Sequence, residues 1–177
     1  MIQELDRANK ISTEYLSLAK NRPIRLEYQD LNQIIYALNP LIEANVLVYN
    51  QTLEIQTSEV PPLYVDEKEI RQLILNLVRN AMEAMKDGGR LLIKTSQQEE
   101  EVILSVQDNG SGIEPAVLEK LGTPFISTKT NGTGLGLAVC YSIALRHQAV
   151  IHVESDPAGT TFRVRFKAPQ EIPKEEN

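Results

Sequence analysis

Residues 123–139 read TPFISTKTNGTGLGLAV, with Gly132, Gly134 and Gly136 at alternate positions and an apolar run directly behind them. Glycine weakens a helix and gives a core nothing to pack, so glycines at this density need another use. A glycine loop that opens a helix leaves unpaired N–H groups at a positive helix end, which suits phosphate. Lys129 is the nearest cation. Taken alone, the stretch reads equally as a flexible surface loop. Two familiar phosphate loops do not fit. A P-loop needs GxxxxGK[ST], and the chain has no Gly-Lys pair. A dinucleotide fingerprint needs GxGxxG straight after a strand, whereas Val139 stands at the third glycine position and a Thr/Lys loop precedes.

Two further stretches bear on the choice. QLILNLVRNAMEAM, 72–85, lies on a predicted helix opened by Asp66, with Glu69 three residues on as in a capping box. Asn76 and Asn80 are four apart and share a face, with Glu83 close to the same stripe. Leu73, Leu77, Ala81 and Ala84 form the adjoining apolar face. An amide oxygen is a hard neutral ligand that suits magnesium; a local bond to neighbouring loops is the alternative. VQDNGSGI, 106–113, puts Asp108 at a strand end before Gly110 and Gly112. By itself this is a turn. An aspartate held there can also accept from an exocyclic amine, and the glycines let backbone approach a flat ring.

The rest of the chain reads as one α/β unit with appendages. Its 177 residues carry a net charge of −6 and are 42% hydrophobic, the composition of a globular protein and not of an electrostatic nucleic-acid binder. No apolar run nears the ~20 residues of a bilayer span, and no signal peptide is visible, so the fragment is expected in the cytoplasm without membrane contact. The single cysteine, Cys140, sits in an apolar run and is expected to be buried. Residues 2–20 have helical periodicity, and Pro23 ends that helix. Residues 23–29 alternate as a strand. A helix follows from 31 to 48, capped by Asp30 and kinked or divided at Pro40. Short strands at 52–56 and 63–65 precede a helix to about Lys86, ended by Gly88 and Gly89. Then come strands 90–97 and 102–107, a short helix from Pro115, a helix from about Gly134 to His147, and strands 150–154 and 161–167. The expectation is a mixed sheet with its C-terminal strands in hairpins and helices on one face, an α+β sandwich.

Together and in this order, the three stretches resemble the GHKL (Bergerat-fold) ATPases, and within them the catalytic domain of sensor histidine kinases. NLVRNAMEAM is similar to the N box, DNGSGI to the G1 box, TPFISTK to the F box and GTGLGLAV to the G2 box. GTTFRVRF, 159–166, resembles the last strand of these domains, and the likeness runs from about Leu26 to Phe166. It implies ATP and Mg²⁺ as cofactors. The implied nucleotide-binding set is Asn76, Asn80, Asp108, Gly110, Gly112, Ile113, Lys129, Gly132, Thr133, Gly134, Leu135, Gly136, Leu137 and Thr160. Within it Asp108 takes the adenine amine, Asn80 holds the metal, and Asn76 and Lys129 are the catalytic pair. Phe125 anchors the start of a lid, residues 122–133, expected to be poorly ordered without nucleotide. In hydrolases of the superfamily the position of Asn76 resembles a glutamate that activates water, and an amide cannot act as that base. The implied reaction is therefore transfer of the γ-phosphoryl group to a histidine. Neither His147 nor His152 lies in a His-Glu/Asp-x-x-x-Pro box, and both are expected to be structural.

Residues 1–21 resemble the second helix of a dimerisation hairpin whose first helix would bear the phosphoacceptor. The resemblance thus implies a fragment beginning at or near an introduced Met1. Residues 22–168 would form the catalytic domain and 169–177 a disordered tail. The wording is most similar to sporulation-type kinases of Bacillus relatives. Implied partners are that hairpin, in cis or in trans, and a response-regulator receiver domain, with a homodimeric parent that can be membrane-anchored. The alternatives are a GHKL serine kinase of the anti-sigma-factor type and a non-catalytic nucleotide-binding module.

Overall fold

The computed structural model describes residues 23–85, 88–125 and 133–170. The predicted helix over 2–20, the tail after residue 170, and residues 126–132 of the expected lid, with Lys129 and Gly132, lie outside the described residues. The element order is β1 (Glu27–Gln29), α1 (Leu31–Val48), β2 (Thr52–Gln56), β3 (Leu63–Val65), α2 (Glu67–Ala84), β4 (Arg90–Gln98), β5 (Glu101–Asp108), α3 (Pro115–Leu118), α4 (Gly136–Arg146), β6 (Val150–Asp156) and β7 (Gly159–Lys167).

The main sheet has the order β2-β4-β5-β7-β6. Only β2 and β4 run parallel; the other pairs are antiparallel. β1 and β3 stand apart from this sheet as a two-stranded ribbon, with Tyr28 opposite Tyr64 and their ring centroids 5.1 Å apart. Each of these three-residue strands leads into a helix, so pairing them sets the starts of α1 and α2 side by side. Helices α1, α2 and α4 cover one face of the main sheet, and their Leu, Ile and Val side chains form one continuous core with the inward residues of β4, β5 and β7.

Pro40 neither divides nor ends α1, which runs unbroken through it. The carbonyl it leaves without a donor belongs to Tyr36, on the exposed face, where water can serve it. Helix α2 stops at Ala84, ahead of the glycine pair. Its end is set by the loop after β5, because the Ser111 N–H donates to the Ala84 carbonyl at 3.3 Å.

The N-terminus of α2 is held on two sides. Asp66 Oδ1 accepts from the Lys68 and Glu69 N–H groups, and its Oδ2 accepts from Arg25 N–H at 2.9 Å. Burial opposes ionisation of this carboxyl, but the three backbone donors outweigh it and hold Asp66 below the usual aspartate range. The Asp66 N–H in turn donates to His147 Nε2 at 3.1 Å, while His147 Nδ1 lies 2.8 Å from the Ile143 carbonyl. A carbonyl can only accept, so Nδ1 carries the proton and Nε2 carries none. His147 thus joins the end of α4 to the start of α2 as a neutral ring. An ion pair between Arg146 and Glu69 at 2.8 Å closes the same junction.

Candidate active site

Two layers leave a cavity of about 830 Å³ between the polar stripe of α2, the loop after β5, the β6–β7 turn and the start of α4. Asn76, Asn80, Asp108, Gly112, Ile113, Thr133, Gly134, Gly136, Leu137 and Thr160 all line it. Leu135 and Gly110 do not. Leu135 is fully buried at the N-cap of α4. Gly110 lies behind Asp108, where its N–H donates to Oδ1 at 2.8 Å. Arg79, Glu83, Lys120, Ser155 and Asp156 also border the cavity. Glu83 was visible as a polar position of the α2 stripe; Arg79 was not singled out in the sequence. Ser155 and Asp156 become neighbours of Asp108 only through the strand order, which no local motif announces.

One end of the cavity is a strand floor. Asp108 on β5 is opposite Thr160 on β7, which is opposite Ser155 on β6. Asp108 is 4% exposed and Thr160 3%. The glycines here are forced by the protein's own packing. A Cβ on Gly110 would sit 2.5 Å from the Ala84 carbonyl oxygen, and one on Gly112 2.0 Å from that of Asp156. Gly112 also has a φ of +73°.

The other end is made by helix termini. α4 starts at Gly136 with no side-chain cap, and Gly134 holds a φ of +68° just before it. The Thr133 hydroxyl accepts from Leu135 N–H at 3.3 Å, and the Phe125 N–H reaches the Gly134 carbonyl at 3.1 Å. The start of the loop is thereby tied down by backbone at Phe125, a residue that is itself 63% exposed. Behind it the Tyr141 ring lies against Gly122, where a Cβ would come within 2.5 Å. Burial, with a lesser effect from Cys140, pushes the Tyr141 phenol up.

Between the ends lies the α2 stripe. Asn76, 7% exposed, donates from Nδ2 to the Gly136 carbonyl at 3.4 Å and so spans from α2 to α4. Asn80 and Glu83 follow at one-turn spacing along the wall. Among the described residues no three His, Cys, Asp or Glu side chains cluster as a self-sufficient metal cage. An amide oxygen with a nearby carboxylate is instead the donor chemistry of a magnesium that keeps waters and phosphate oxygens. A base floor without room for side chains, an uncapped helix start and hard oxygen donors between them suit a Mg²⁺-nucleoside triphosphate.

The chain belongs to the family of histidine kinase-, DNA gyrase B- and HSP90-like ATPases, whose family model matches residues 65–170. Among curated proteins it is 39% identical to sporulation kinase A of Bacillus subtilis, over 94% of this chain and 28% of that kinase. It is also 34% identical to the Escherichia coli sensor histidine kinase ZraS, over 92% of this chain and 35% of the relative. The chain spans about a quarter to two fifths of the curated relatives it matches. The nucleotide-free catalytic domain of histidine kinase ThkA superposes with a TM-score of 0.74 at 30% identity, covering 81% of this chain and 95% of that domain. ThkA in complex with the response regulator TrrA gives a TM-score of 0.81 at 28% identity, over 95% of this chain and 49% of the other. Among the described residues no helix is long and apolar enough to cross a membrane.

Proposed function

We propose that this chain is the ATP-binding catalytic unit of a sensor histidine kinase. The observation that carries the reading is the amide at Asn76, facing the start of α4 where a hydrolase would hold a carboxylate base. An amide cannot take a proton from water, whereas an imidazole acceptor is already a nucleophile. Its nitrogen attacks the γ-phosphorus, the bond to the β–γ bridging oxygen breaks, and ADP leaves. The protein's share is positioning and charge. The strand floor with Asp108 and Thr160 holds the base. The first turn of α4, with Thr133 and Gly134, offers N–H groups to the phosphates, and Lys129 joins them. Asn80 would hold Mg²⁺, which neutralises phosphate charge when bound.

Under this reading residues 1–21 are the second helix of a dimerisation hairpin, and the phosphoacceptor histidine lies on its first helix. Residues 22–168 are the catalytic domain and 169–177 a tail. The parent is a homodimer that works on the cytoplasmic side and passes its phosphoryl group to a receiver-domain aspartate. The similarity to ThkA, solved with a response regulator, supports that partner.

The test is calorimetry with ATP, with and without Mg²⁺, followed by mixing with a histidine-bearing hairpin and radiolabelled ATP. Mg²⁺-dependent binding and acid-labile label on the hairpin are expected. Label on a serine substrate, or binding with no transfer to any hairpin, would sink the histidine kinase assignment. Asp108→Asn should weaken ATP about 10- to 100-fold, the range for a hydrogen bond to a charged group. Asn80→Ala should chiefly remove the Mg²⁺ dependence, and Mg²⁺-dependent binding left intact would refute the metal assignment.

A further inference from the structure

The cavity wall formed by α2 changes character along its length. Asn76, Arg79, Asn80 and Glu83 all border the cavity, with Glu83 nearest the end of the helix. Contacts at each end fix which part of the cavity they meet. Asn76 donates to the Gly136 carbonyl at 3.4 Å, so its end of the wall adjoins the start of α4. At the other end, the Ala84 carbonyl accepts from the Ser111 N–H at 3.3 Å. The same carbonyl oxygen is 2.5 Å from where a Cβ of Gly110 would stand, and the Gly110 N–H donates to Asp108 Oδ1 at 2.8 Å. Glu83, adjacent to Ala84, therefore stands beside the strand floor. Arg79, one turn back, stands towards the helix start.

A carboxylate can only accept hydrogen bonds, and it repels phosphate. In a nucleotide laid from floor to helix start, the part between base and phosphates is the ribose, which is neutral and carries two hydroxyl donors. Dinucleotide-binding folds place an acidic side chain on the same part of their ligand. Two other carboxylates besides Asp108 border the cavity. Asp156 Oδ1 accepts from the Ala158 N–H at 2.7 Å and braces its own turn. Glu114 stands at the start of α3. We infer that Glu83 is a specificity-determining residue, which accepts from a ribose hydroxyl and selects ribonucleotides over deoxyribonucleotides. The inference rests on the nucleotide reading of this cavity and deepens it. The wall then has a direction: an acceptor beside the nucleoside, a cation and amides towards the phosphates.

Calorimetry on the whole chain with Mg²⁺ compares ATP, 2′-deoxy-ATP and 3′-deoxy-ATP. The variants are Glu83→Ala, Glu83→Gln and Glu114→Gln. Glu83 is exposed, so both of its variants should fold; if the alanine variant does not, the glutamine variant carries the test. The unaltered chain should bind ATP about tenfold tighter than at least one deoxy analogue, the lower range for a hydrogen bond to a charged group. Glu83→Ala should bring ATP down to that analogue and leave the analogue's own affinity where it was. Glu83→Gln keeps an acceptor oxygen and should retain a preference of about threefold, because a neutral acceptor makes the weaker bond. Equal losses for ATP and both analogues in Glu83→Ala would show a structural or metal-supporting role and overturn the inference. A ratio that moves with Glu114→Gln and not with Glu83 would overturn it as well. ATP and both analogues bound alike by the unaltered chain would overturn it while leaving the nucleotide reading in place. Failure to bind any of the three would overturn the nucleotide reading itself.

Discussion

The two ends of the cavity both use glycine, for opposite reasons. At the strand floor, Gly110, Gly112 and Gly159 are required by the protein itself, since a Cβ on any of them would sit 2.5 Å or less from a backbone oxygen. At the start of α4, a Cβ on Gly136 would meet nothing within 4 Å among the described residues. The floor is finished before a ligand arrives, and its glycines serve folding. The helix start keeps open space, and its glycine serves whatever occupies that space. A motif read as one kind of feature therefore contains two, separable by asking what a methyl group would touch.

That contrast can be attacked by graded substitutions. The largest effect is expected for Gly112→Ala, which combines a positive φ with a contact on the Asp156 carbonyl. Left-handed strain and overpacking together should cost about 3–5 kcal/mol, seen as a grossly lowered or absent melting transition. A normal transition would mean that the floor is pliable and the contrast false. Next comes His147→Ala, which removes a buried ring and two hydrogen bonds at the α2–α4 junction. A loss of about 2–4 kcal/mol in urea denaturation is expected.

Asp66→Ala should cost about 1 kcal/mol at neutral pH through loss of the helix cap. Its pH dependence has a definite sign. The folded carboxyl lies below its unfolded value, so its stabilisation is complete above the unfolded pKa and disappears as pH falls through the folded pKa. Acid titration of stability should consequently be shallower in the variant than in the unaltered chain; identical slopes would show that another group carries the acid response. The smallest stability effect is expected for Gly136→Ala, within about 1 kcal/mol and on the favourable side, because alanine is the better helix former. The same change should weaken ATP about tenfold. Undiminished nucleotide affinity in the Gly136→Ala variant would remove the functional half of the comparison.

Much of this was legible in the sequence because it is local. Asp66 and Asp30 cap the helices they were expected to cap, and the i, i+4 spacing of Asn76 and Asn80 put both on the cavity wall. Pro40 does not divide α1, because the carbonyl it leaves without a donor lies on the face of the helix that meets solvent, a tertiary fact. The end of α2 was placed too late because a bond from Ser111, distant in sequence, stops it before the glycine pair. The ribbon of β1 and β3 could not be told from strands of the main sheet, because alternation shows a strand but not its partner. Ser155 was invisible for a related reason: it borders the cavity by lying across from Thr160, and strand register is fixed by the whole sheet.

Cys140 gives the molecule an internal reporter. It is the chain's only cysteine, fully buried on α4, with its sulfur 3.8 Å from the Leu73 carbonyl of α2. A thiol reagent can reach it only when those two helices part, so the labelling rate measures that opening directly. One helix carries Asn76 and Asn80 and the other begins at Gly136. A bound nucleotide that grips both should slow the labelling without touching the sulfur.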